Sequence, residues 1–77
     1  MNPFDPKLIR VFREAKGLTR LDTVFLLRPH GVDITPETLS RWERDTSDVD
    51  ANILPALASV FGVQVEAFFH NIKEETP

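Results

Sequence analysis

Apolar residues recur along this chain at three- and four-residue intervals, and each such stretch is bounded by residues that start or stop helices. From residue 6 to about residue 16, Leu8, Ile9 and Phe12 mark one side of an amphipathic helix, with Val11 and Ala15 beside them. Asp5 is its N-cap, Pro6 its first helical residue and Gly17 its stop, while Lys7, Arg10, Arg13 and Lys16 line the polar side. Thr19 caps a second helix opening at Arg20, with Asp22 in the first turn suiting the dipole. Its Leu21, Val24, Phe25, Leu26 and Leu27 predict that much of this helix is buried. Pro29 disfavours helical geometry at Arg28 and ends the helix there, leaving residues 30–34 as a turn.

Thr35 followed by Pro36 is the clearest start signal in the chain, an N-cap with proline at the first helical position. The third helix runs to about Arg44 and turns Leu39 and Trp42 inward, leaving Pro36, Glu37, Ser40, Arg41 and Arg44 largely outward. After a polar loop, a fourth helix covers about residues 52–61, with Pro55 tolerated in or near its first turn. Leu54, Leu57, Ala58 and Phe61 form its buried stripe and Gly62 ends it. A fifth, about residues 65–72, carries Phe68 and Phe69, which as helical neighbours cannot both point inward. One of them, with Ile72, is the candidate apolar patch for a dimer. The pattern predicts an all-α fold of five short helices in one domain spanning 1–77, its core about 6–72 and its tail 73–77 frayed.

At 42% hydrophobic and 27% charged residues, the chain has the composition of a folded domain. It has no cysteine and two distant histidines, so neither a disulfide framework nor a metal centre is expected, and no cofactor. No apolar run approaches the roughly 20 residues of a membrane span, and the N-terminus does not resemble a secretory signal. A cytoplasmic protein is the expectation. The net charge of −3 argues against a simple polyanion binder, but its distribution changes the picture. Residues 1–44 hold eight basic side chains against six acidic ones, for +2; residues 45–77 hold one against six, for −5. Such asymmetry orients a domain on a polyanion.

Catalytic chemistry has no foothold here. No motif brings a nucleophile to a base, His30 and His70 are most simply surface residues, and the three glycines stand alone at turns rather than in a phosphate loop. An enzyme is not expected. Trp42 is read as core.

Three runs, taken in order and spacing, resemble the Cro/CI-type (XRE) helix-turn-helix regulators: Gly17-Leu18-Thr19, then the residues from Thr35 to Arg44, then those from Leu54 to Val63. The similarity extends from about Leu8 to Phe69. It implies a lambda-repressor-like five-helix domain whose third helix enters the major groove of double-stranded DNA, in a repressor-type homodimer. It also implies a base-reading role for Pro36, Glu37, Ser40 and Arg41. In that setting Arg41 suits a bidentate contact to guanine, Glu37 a cytosine amino group and Pro36 a thymine methyl. Thr35 and Arg20 correspond to phosphate contacts, and Arg44, Lys16 and Arg28 have the charge to join them. Arg13 and Glu43 fall where several phage repressors carry a buried ion pair.

This chain departs from the family pattern in its turn. Leu18 to Trp42 is longer than usual by about five residues, the excess falling around 28–34. Asp33 and Asp45 stand where glycine is common and would tolerate left-handed geometry. The acidic total, Pro36 and Glu37 on the reading side, and the lengthened turn motivate an alternative: a protein-interaction module of the same fold, antitoxin-like or binding the transcription machinery, without operator binding.

Overall fold

Side chains that satisfy backbone N–H groups set where the helices begin. A computed structural model describes residues 5, 7–45 and 49–69. Among these lie α1 (Lys7–Ala15), α2 (Arg20–Leu27), α3 (Pro36–Arg44) and α4 (Leu54–Phe61), with no strand. Asp5 accepts the Lys7 N–H at 3.0 Å to open α1, as expected; Pro6 lies outside the described residues. Thr19 and Asp22 form a reciprocal capping box at α2, each side chain accepting the other's backbone N–H at 3.0 Å. Thr35 Oγ1 accepts the Thr38 N–H at 3.2 Å, and Pro36 follows as the first residue of α3. Ahead of α4 a 3₁₀ turn, Ala51–Ile53, is capped by Asp50, and Pro55 sits in the first turn of the helix proper.

The end of α2 differs from expectation. Arg28 keeps right-handed helical geometry despite the following proline (φ −58°, ψ −43°), and the chain continues as a 3₁₀ turn, Arg28–His30. Gly31 makes the stop, at φ +83°, a left-handed conformation that L side chains resist. Its N–H reaches the Arg28 carbonyl at 2.9 Å and the next N–H, from Val32, reaches Leu27 at 3.2 Å. This is a Schellman closure, and the same pair of bonds ends α1 at Gly17 and α4 at Gly62. From Val32 the chain is non-helical up to Thr35, with Val32 and Ile34 half-buried against the core and Asp33 exposed between them. The extra length of this connection is thus one 3₁₀ turn and a short strip alternating inward and outward. Asp45 is extended (φ −154°), so the left-handed geometry considered for it is not used.

Ile9, Leu27, Leu39, Trp42, Leu54, Leu57, Ala58, Phe61 and Phe68 form the core that holds the four helices together. Two sequence expectations fail against it. Residues Val65–Phe68 form a single 3₁₀ turn rather than an α-helix, because the backbone at Phe69 leaves the helical region (φ −104°, ψ 73°). Residues 70–72 lie outside the described residues. The burial expected of α2 holds on one side only. Thr23, Val24 and Leu27 are buried, whereas Leu21 and Phe25 are 54% exposed and Leu26 45%.

Candidate nucleic-acid interface

The fold fixes which side of α3 meets solvent. Leu39, Trp42 and Glu43 are buried at i, i+3, i+4 spacing, anchoring the helix to α1 and α2. Glu37, Arg41 and Arg44 therefore fall on the opposite side, one above another, and all three are exposed. Ser40 and Pro36 are half-buried at the edge of this stripe. Ser40 Oγ accepts a hydrogen bond from Arg44 Nη1 at 3.2 Å, which steadies the arginine along the helix. Thr35 is exposed, but its hydroxyl caps the helix and bonds the Thr38 hydroxyl at 3.2 Å. The exposed stripe carries two positive charges and one negative.

Behind the stripe, two arginines share one carboxylate. Arg13 Nε donates to Glu43 Oε2 at 2.7 Å, and Arg13 Nη1 donates to the Leu18 carbonyl at 2.8 Å. The Arg13–Glu43 pair implied by the family resemblance is present and buried, with side chains 8% and 3% exposed. Arg20 adds a second cation: its Nε and Nη2 both donate to Glu43 Oε1, at 3.2 and 2.9 Å. Glu14, paired with Arg10 at 3.0 Å, also lies 3.8 Å from Arg13, so two carboxylates, Glu14 and Glu43, face the three guanidiniums of Arg10, Arg13 and Arg20 where α1, α2 and α3 meet. Arg20 remains 40% exposed, which leaves it able to meet an external anion. Sequence reasoning missed its tie to Glu43 because the two stand 23 residues apart and no local pattern marks the contact.

The remaining candidates scatter. Lys16 Nζ lies beside Gly62, where the carboxyl end of α4 concentrates partial negative charge. Arg28 lies over the Phe25 ring, 5.1 Å from its centroid, with Nε 4.0 Å from Asp33. Neither is brought to the α3 stripe. Of the two phenylalanines considered for a dimer patch, Phe68 is the one turned inward, fully buried, edge-on to Phe12 at 5.4 Å and against Phe61 at 6.4 Å. Phe69 is half-buried, and Ile72 lies outside the described residues. The exposed large apolar side chains among the described residues are Val11 on α1 and Leu21, Phe25 and Leu26 on α2. Among the described residues there is no pocket and no cluster of three metal-ligating side chains, and no helix is long and apolar enough to cross a membrane.

A short helix closed by a turn, then a capped helix whose outer side is open and rich in arginine, is the geometry of a helix-turn-helix. A family model described as helix-turn-helix matches residues 30–68, half of the chain, taking in α3, α4 and the turn after it. The chain belongs to the Cro/CI-type (XRE) helix-turn-helix family of DNA-binding transcription regulators. No curated protein and no solved structure is significantly similar to it.

Proposed function

We propose that the protein binds duplex DNA sequence-specifically as a homodimeric transcriptional regulator, with α3 in the major groove. One observation carries this: the outward stripe of α3 is open to solvent while its other side is locked to the core by Leu39, Trp42 and the Arg13–Glu43 pair. A rigid helix presenting arginines is what base readout requires. Arg41 is the principal base reader, with Glu37, Ser40 and Pro36 flanking it. Arg20, Arg44 and Thr35 hold phosphates on either side, Arg20 from its seat on Glu43. In a dimer, two copies address half-sites roughly 34 Å apart.

The test is the salt dependence of binding to the upstream region of the protein's own gene. Affinity falls steeply with salt in the wild type, and Arg20→Ala or Arg44→Ala each lowers the log–log slope by about one without changing sequence preference. A slope near zero, or slopes unmoved by both substitutions, contradicts the assignment. A second reading, a protein-interaction module, is favoured by the exposed apolar side of α2. It predicts partner binding that survives salt and ignores Arg41.

A further inference from the structure

Three of the four exposed large apolar side chains among the described residues lie on α2; the fourth, Val11, is on α1. Leu21, Phe25 and Leu26 stand at i, i+4, i+5, which makes one contiguous face rather than scattered single residues. It lies opposite the buried Thr23, Val24 and Leu27. Arg20, roughly 140° round the helix from Phe25, reaches back to α3 and Glu43. The Phe25 face and the reading stripe of α3 therefore point in different directions, and both can be occupied at once.

The charges bordering the face indicate what covers it. Asp22 lies about 60° to one side of Phe25 and nearly a turn toward the start of α2, while Arg28 lies about 60° to the other side and nearly a turn beyond. The Asp22 carboxyl is held ionised, below the usual carboxylate range, by the Thr19 N–H. Arg28 packs its guanidinium over the Phe25 ring, 5.1 Å from the centroid, and its contact to Asp33, 4.0 Å between two exposed side chains, is loose, so its charge lies on the face itself and meets solvent. A two-fold axis through Phe25, with the helices crossing steeply, places each Asp22 against the other copy's Arg28. A face with one sign of charge would fit a partner of the opposite sign; this one is complementary to itself, as an isologous interface must be.

We infer that this face of α2, centred on Phe25 and bordered by Asp22 and Arg28, is a contact between two copies of the chain. Three half-exposed side chains offer far less than the roughly 800 Å² per partner of a stable interface. The contact is therefore weak between free molecules and becomes effective when two copies are already held side by side, as on adjacent DNA sites. Its consequence for DNA rests on the function proposed above; the contact itself does not.

Amide chemical shifts of the protein without DNA, followed from micromolar to millimolar concentration, test the contact. Shifts across residues 21–28 should move with concentration in the wild type and stay fixed in Phe25→Ser and in Arg28→Glu. Both substitutions are at exposed positions, and an unchanged Trp42 fluorescence melt shows that the fold is intact. Should Arg28→Glu fail to fold, Phe25→Ser decides. A wild type whose shifts across residues 21–28 stay fixed with concentration, whether or not another protein binds the face, overturns the inference, as do concentration-dependent shifts there that persist in Phe25→Ser. On DNA, Phe25→Ser should keep single-site affinity and lose cooperative filling of paired sites. Absence of single-site binding in the wild type would instead count against the operator reading.

Discussion

Glu43 is the residue on which most of the structure converges. Its carboxylate is buried and accepts from Arg13 and Arg20, so removing it strands a buried guanidinium. Loss of one partner of a buried pair costs about 3 kcal/mol or more, a large part of a small domain's stability. Glu43→Ala should therefore lower the denaturation midpoint sharply, followed by the fluorescence of the buried Trp42; a loss below about 1 kcal/mol would mean that the pair is not a structural anchor. Asp22 makes a different, pH-dependent contribution. The Thr19 N–H lowers its folded pKa, so its stabilisation is fully present above the ordinary carboxylate value, about 4, and is lost as pH falls through the lower folded value. Acid titration followed by circular dichroism should show loss of helix below pH about 4 that is smaller in Asp22→Asn; identical profiles would exclude the capping box as its source. At this scale the sequence was legible wherever chemistry is local. The caps at Asp5, Thr19 and Thr35 could be read directly. The Arg13–Glu43 pair was visible only through the family resemblance, and Arg20's place on the same carboxylate was not visible at all, since it depends on how α2 packs on α3.

Among the elements, α3 is the one whose bounds the sequence defined best, because Thr35-Pro36 is a strong start and Leu39 and Trp42 select a single buried side. In α2 the same logic failed. Five of its eight residues are apolar, so periodicity offers two competing sides, and the packing of Val24 and Leu27 chose one while leaving Leu21, Phe25 and Leu26 outside. Replacing Leu21 or Phe25 by serine should change stability by no more than about 0.5 kcal/mol, whereas Leu27→Ala should cost about 2–5 kcal/mol. Equal losses at the two sides, measured by urea denaturation, would contradict this division. The fifth helix was over-read for a related reason: a pair of phenylalanines indicates burial but not how far a helix runs. Gly31 closes the connection that the family pattern did not anticipate. A Cβ there meets no atom within 4 Å, so the cost of Gly31→Ala is backbone strain alone, about 1–2 kcal/mol. A neutral substitution would show that the turn can relax without its left-handed residue.

For the molecule as a whole, the net charge of −3 misleads. On the proposed function, a polyanion meets the outward side of α3 carrying Arg41 and Arg44, and the family match to residues 30–68 covers that helix. The four helices serve to hold that side open and rigid. The central claim is that α3 reads bases, and selection from a random duplex library at moderate salt, run in parallel on wild type and Arg41→Ala, tests it most directly. The wild type should enrich a defined motif, and Arg41→Ala should lose preference at one base pair, about 1–3 kcal/mol of discrimination, while keeping the rest. A wild type that enriches no motif, or a variant that enriches the same one unchanged, contradicts it.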